Sequence, residues 1–138
     1  MMKKTFSLIS LFVLCIVSLG GLTAAAPIPN VDIILVSGLP PTMNVGDTAT
    51  VVVQVTSDQE FNYAQMLPTF FFPGRGVVAV QGGDHAGRGT SATLEITFKA
   101  KDSTADLGGA IPVSVVAGAR YQGGYTASQR FDFYVTVP

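Results

Sequence analysis

An alternating stretch over residues 45–56 constrains the fold of this chain more than any other feature. The turn pair Gly46-Asp47 is followed by apolar residues at every second position, Ala49, Val51, Val53 and Val55. Small and β-branched side chains that recur with a period of two are typical of a β-strand with one apolar face. Such a face has to be covered by a second sheet, so the stretch predicts one strand of a two-layer β structure.

Similar strand patterns fill the rest of the chain. In residues 90–100, Leu94, Ile96 and Phe98 alternate with polar residues, which predicts a half-buried strand with one face in water. Further strands are predicted over 31–36, 61–67, 69–72, 76–81, 110–121 and 125–137. No stretch after the first 25 residues repeats with the period of a helix. The sequence therefore predicts an all-β fold, an antiparallel Ig-like β-sandwich of about seven strands.

Proline, glycine and polar clusters predict where these strands end. Pro40 and Pro41 predict a strand break or a sheet edge, and Pro68 predicts the end of the strand over 61–67. Residues 57–60 predict a polar turn, and the glycine-rich residues 82–89 predict a loop. Gly123 and Gly124 predict a tight hairpin between the last two strands.

The N-terminus has the pattern of a secretory signal peptide. Lys3 and Lys4 precede an apolar run over 6–22, and small residues follow at 23–26. The sequence predicts a signal helix over 1–25 and one domain over 26–138, and hence a secreted or cell-surface protein. The run is about 17 residues long, so its retention as a membrane anchor is the alternative.

Charge and cysteine content exclude several functional classes. The chain has eight basic and nine acidic residues, and two of the basic ones, Lys3 and Lys4, belong to the predicted signal. The predicted domain therefore has six basic and nine acidic residues. Such a composition offers no basic stripe for binding nucleic acid. The sole cysteine, Cys15, also lies in the predicted signal, so the domain needs a core that is stable without disulfides.

Residues suited to catalysis or metal binding are few. His85 is the only histidine and follows Asp84 in the glycine-rich stretch, where a catalytic triad geometry is not expected. Asp102 and Asp106 share a polar segment but lack the spacing of a calcium loop. The sequence therefore predicts neither an enzyme nor a cofactor or metal site.

Two aromatic groups are the predicted interaction residues. Side chains alternate between the faces of a strand, so Phe71 would point away from Phe70 and Phe72 and offer a contact surface. Tyr121 and Tyr125 flank the predicted hairpin tip, where their rings would stack on sugars or pair with each other across the strands.

Three segments resemble the bacterial and archaeal Ig-like surface modules of the adhesion-related (CARDB-like) type. They are Val-Gly-Asp-Thr-Ala-Thr-Val at 45–51, the alternating strand at 89–100, and the 109–137 hairpin with its aromatic Gly-Gly tip and Val-Thr-Val ending. The resemblance implies extracellular placement and an adhesion or spacer role. A second resemblance, to dockerin-binding cohesin domains, lies in Gly46-Asp47-Thr48 and in residues 98–101, although residues 67–69 replace the expected Tyr-Asp-Pro-like centre.

These observations predict a non-enzymatic module that acts by contact with other extracellular or surface proteins, including copies of itself. One alternative is a filament subunit that exchanges its first strand, residues 31–36, with a neighbour. Another is a carbohydrate-binding or cohesin-like module, in which Tyr121 and Tyr125 contact a polysaccharide.

Overall fold

Eight β-strands form the described part of the chain, residues 27–69 and 75–138 of a computed structural model. The strands are β1 Val31–Ser37, β2 Thr48–Phe61, β3 Tyr63–Thr69, β4 Val77–Ala79, β5 Asp84–Ala86, β6 Gly89–Ala100, β7 Ala110–Arg120 and β8 Thr126–Thr136. A 3-10 turn over Ala105–Leu107 precedes β7. The prediction of an all-β antiparallel sandwich is confirmed, with about eight strands. The predicted signal peptide lies outside the described residues.

The strands form two four-stranded sheets. The first sheet has the order β1-β2-β6-β4 and the second has the order β5-β3-β7-β8, and the paired strands in both are antiparallel. The predicted apolar face of β2 is confirmed, since Val51, Val53 and Val55 are fully buried. Burial of each such side chain contributes about 1.5–3 kcal/mol, and this apolar layer holds the two sheets together.

The predicted turn at residues 57–60 is wrong, because these residues belong to β2. Ser57 lies opposite Val31 of β1, and the Asp58 carboxylate accepts a hydrogen bond from the Asn30 amide. Pairing with the neighbouring strand thus keeps this polar segment extended in spite of its turn-like composition. The chain turns at Asn62 instead, whose amide donates to the Arg120 carbonyl.

Pro68 does not end a strand, which corrects a second prediction. It lies inside β3, opposite Val115 of β7. On the other side of β3, the short β5 pairs only with Ala64 to Met66. Pro68 therefore lies beyond the stretch where β3 is paired on both sides, and proline is tolerated at such an edge.

The predicted break at Pro40 and Pro41 carries the chain from one sheet to the other. β1 ends at Ser37 in the first sheet. Beyond the prolines, Thr42 bridges Thr136 of β8 in parallel, and the Met43 amide donates to the Thr136 carbonyl. The buried Met43 side chain then fills the interior between the sheets. The N-terminal segment thereby contributes to both sheets.

Candidate functional site

The open edge of β1 is the first candidate surface. Val31, Ile33 and Leu35 pack partly buried against the core, as the inner face of an edge strand should. The opposite face exposes Ile34 by 57% and Val36 by 63%. The pairing register shifts between Leu35 and Ser37, so Val36 stands at a bulge. The strand thus presents apolar side chains to solvent.

The backbone of β1 is also available along its outer edge. Within the described ranges, no backbone hydrogen bond reaches that edge from another part of the chain. The other long edge, β8, is covered at its end by Pro41 and Met43, and β4 and β5 have three residues each. Edge strands usually carry lysine, proline or further charges that discourage pairing. In β1 that role falls to Asp32 and the bulge alone.

The two tyrosines at the hairpin tip differ in their exposure to solvent. Tyr121 is 5% exposed, its hydroxyl lies 2.6 Å from the Ser57 hydroxyl, and its ring meets Phe61 edge to face at 6.4 Å. Tyr125 is 43% exposed, with its ring centre 5.8 Å from that of Tyr121. The idea of a two-tyrosine sugar platform needs correction, since Tyr121 is a core residue. Its ring pairs across the strands instead.

An open cavity of about 230 Å³ lies beside Tyr125. The N-terminal residues Pro27 to Pro29 form one wall, and Gln59 and Gln122 contribute amide groups. The Gln59 side chain donates to the Pro27 carbonyl over 3.0 Å, which fixes the segment that leads into β1. Tyr125 and the start of β1 are therefore neighbours on one end of the sandwich.

Phe70, Phe71 and Phe72 lie outside the described residues. The prediction that Phe71 forms a contact surface therefore stays a prediction. It concerns the segment between Thr69, the last residue of β3, and Arg75.

The neighbours Asp84 and His85 do not form a catalytic pair. The two carboxylate oxygens of Asp84 accept hydrogen bonds from the backbone amides of His85 and Glu95, over 2.9 and 2.7 Å. The aspartate thus holds β5 against β6. The His85 side chain is exposed, and its ring stacks on Tyr63.

Residues of the acidic segment around Asp102 form an ion pair and a backbone hydrogen bond within the domain. Asp106 pairs with Arg75, and the Asp102 amide donates to the Gly76 carbonyl. Over residues 27–69 and 75–138, no three acidic, histidine or cysteine side chains gather as a metal site would require. In the same part of the chain, no helix is long and apolar enough to cross a membrane.

One further surface was not predicted from the sequence. A shallow depression of about 90 Å³ lies on the outer face of the second sheet, and β3, β7 and β8 all line it. Gly118 lies at its centre, opposite Gln65 on one side and Ser128 on the other. The signal in the sequence is Gly118 itself. A glycine inside a strand often marks a place where another backbone or a ligand approaches closely.

The fold and these surfaces define an Ig-like antiparallel β-sandwich module. No family model matches the sequence, and no curated protein is significantly similar to it. Among solved structures, the chain is similar to part of E. coli alpha-2-macroglobulin in its native conformation, with 16% identity, a TM-score of 0.47 and coverage of 82% of this chain. The chain spans 7% of that protein's length. It is also similar to murine CRIg, with 9% identity, a TM-score of 0.35, and coverage of 81% of this chain and 99% of that one.

Proposed function

We propose that the protein is a secreted, non-enzymatic β-sandwich module that works by protein contact, and that β1 is its docking element. The observation that carries the proposal is the open seven-residue edge of β1 with exposed Ile34 and Val36. An edge strand can accept a further strand, whose backbone supplies hydrogen bonds and whose side chains supply selectivity.

The proposed occupant is β1 of a second copy, paired antiparallel about a two-fold axis. Under such an axis a strand edge is complementary to itself, and side chains that face each other lie on the same face of the sheet. A register centred on Leu35 places Ile34 of each copy opposite Val36 of the other. Asp32 then lies opposite Gly38, so no two like charges meet. A register centred on Ile34 would instead set the Asp32 carboxylate against Val36, which costs desolvation.

The oligomeric state of the purified protein tests this proposal. Ile34→Lys adds a charge at an exposed position, so the fold should persist while the dimer dissociates. Tyr134→Lys is the matched control, because Tyr134 is 67% exposed on the other long edge strand. Light scattering after size exclusion should show dimers for the parent protein and for Tyr134→Lys, and monomers for Ile34→Lys.

Two outcomes would overturn the dimer. One is a parent protein that stays monomeric across the accessible concentration range. The other is a dimer that Ile34→Lys leaves intact. Assemblies that grow without closing, and that stop growing when β1 is deleted, would favour the strand-exchange filament over the closed dimer.

The proposed secretion has a separate test. Export with cleavage after Ala25 should release a protein whose first residue is Ala26, as N-terminal sequencing of the cell-free medium would show. A protein that stays with the membrane fraction and keeps Lys3 and Lys4 would contradict secretion and support the membrane-anchor alternative.

A further inference from the structure

The depression around Gly118 owes its shape to the pairing register of the second sheet. Gln65 of β3, Gly118 of β7 and Ser128 of β8 form one row across the three strands. The middle member has no side chain, so the row has a gap between two polar residues. A larger residue is excluded at this position, because a Cβ atom on Gly118 would collide with the Ala127 carbonyl oxygen of β8.

The aromatic ring of Tyr63 and the cation of Arg120 also line the depression. The rings of Tyr63 and His85 are stacked, with centroids 5.4 Å apart and an angle of 26° between planes. In the next row Arg120 lies opposite Tyr63 on one side and Thr126 on the other. Arg120 forms no ion pair within residues 27–69 and 75–138, where the salt-bridged arginines are Arg75, Arg88 and Arg130. The depression therefore has one cation that no acidic side chain of the described chain neutralises.

The remaining polar groups are neutral and suited to hydroxyl recognition. Gln65 offers an amide, and Thr126 and Ser128 offer hydroxyls, which both donate and accept hydrogen bonds. Leu67 and Val116 add apolar surface to the same depression. This combination matches a sugar ring, which has an apolar C–H face and a rim of hydroxyl groups.

A peptide fits this place less well. The depression lies on the face of the sheet, where β7 is paired with β3 on one side and β8 on the other. An extended peptide gains its affinity from free backbone groups at a sheet edge, and the middle of a paired sheet offers none. Recognition here has to come from side chains.

We propose that the depression binds an acidic saccharide, with one sugar ring over Gly118 and its carboxylate on the Arg120 guanidinium. Arginine presents a fork of N–H donors that matches a carboxylate, and such charge-assisted hydrogen bonds are strong. The site is distinct from the β1 edge, which belongs to the other sheet, so it does not rest on the proposed dimer.

Calorimetric titration with trigalacturonate, and with neutral galactotriose as its uncharged counterpart, tests the proposal. The parent protein should bind the acidic trisaccharide, more weakly at higher salt, and bind the neutral one at least 10-fold less tightly. Arg120→Gln should weaken trigalacturonate binding about 10- to 100-fold, the value of a hydrogen bond to a charged group. Arg88→Gln is the control, since it removes an exposed arginine outside the depression and should leave binding unchanged.

Three results would overturn the assignment. The first is a lack of binding to trigalacturonate, and the second is an Arg120→Gln variant that binds trigalacturonate as tightly as the parent protein does. The third is binding of a tetraglutamate peptide as tight as that of trigalacturonate, which would show a charge site without sugar recognition. Arg120→Gln should keep the thermal midpoint and the oligomeric state of the parent protein, which separates this test from that of β1.

Discussion

The hydroxyl groups of Ser57 and Tyr121 lie 2.6 Å apart and join the two sheets of the sandwich by a hydrogen bond. Ser57 belongs to β2 in the first sheet, and Tyr121 directly follows β7 in the second. A buried tyrosine needs a partner for its hydroxyl, and the serine supplies one at the end of an apolar interior. The Gln59 amide also donates to the Ser57 hydroxyl, which fixes the serine in place.

Tyr121→Phe removes this hydrogen bond and keeps the ring. We expect a loss of about 0.5–1.5 kcal/mol in the free energy of unfolding, the usual net value of one such bond. Urea denaturation followed by circular dichroism measures it. Tyr125→Phe is the matched control and should change the stability by less than about 0.5 kcal/mol, because this tyrosine is partly exposed. Equal effects of the two substitutions would contradict a structural role for the Tyr121 hydroxyl.

Gly118→Ala should destabilise the protein by about 1–3 kcal/mol or more, because the new methyl group collides with the Ala127 carbonyl of the paired strand. Gly87→Ala is the control, since a Cβ atom there meets nothing within 4 Å. Thermal unfolding of the two variants should show a lower midpoint for Gly118→Ala alone. A parent-like midpoint for Gly118→Ala would show that β7 and β8 can move apart at this position.

Thr104→Val should cost about 1–3 kcal/mol, the penalty for leaving a buried donor without a partner. The Thr104 hydroxyl is buried, accepts from the Val137 amide over 2.9 Å and donates to the Val137 carbonyl. Valine keeps the shape and removes both bonds, so the C-terminal residues should loosen. Faster hydrogen exchange of the Val137 amide would report this directly. Thr90→Val, at an exposed position of β6, should have little effect on either measurement.

Asp132 should make stability depend on pH in the acid range. The Ser114 hydroxyl, and after it Arg130, hydrogen-bond the carboxylate and lower the pKa of Asp132 from its ordinary value of 3.8. A lowered pKa in the folded state adds stability above the unfolded pKa, and this stability is lost as the pH falls through the folded pKa. Because the Asp132 side chain is about half exposed, the effect should be small.

Asp132→Asn tests this expectation. The parent protein should be more stable than the variant at pH 7, and the difference should shrink at pH values below about 4, near the unfolded pKa. Urea unfolding at pH 7 and at pH 2.5 measures both differences. A difference that stays constant between the two pH values would contradict the linkage. Ser114→Ala should reduce the acid dependence in the same direction, because it removes the largest cause of the shift.

The repeating side-chain pattern predicted strands well where one strand face is uniformly apolar. The alternation in β2 and β6 appears in the structure with Val51, Val53, Leu94 and Ile96 all fully buried. The break at Pro40 and Pro41 was equally predictable, since a missing N–H is a property of proline itself. These features are local, and nearby residues are enough to specify them.

The sequence by itself therefore determined the all-β class and most of the strands. Only the tertiary structure decided that residues 57–60 stay extended, that Tyr121 is buried, and that a depression forms around Gly118. The physical reason is that a period-two pattern states which faces of a strand are apolar, but not which distant strand will cover them. Ser57 and Tyr121 are 64 residues apart, and the rows around Gly118 draw on three strands that meet only in the folded sheet.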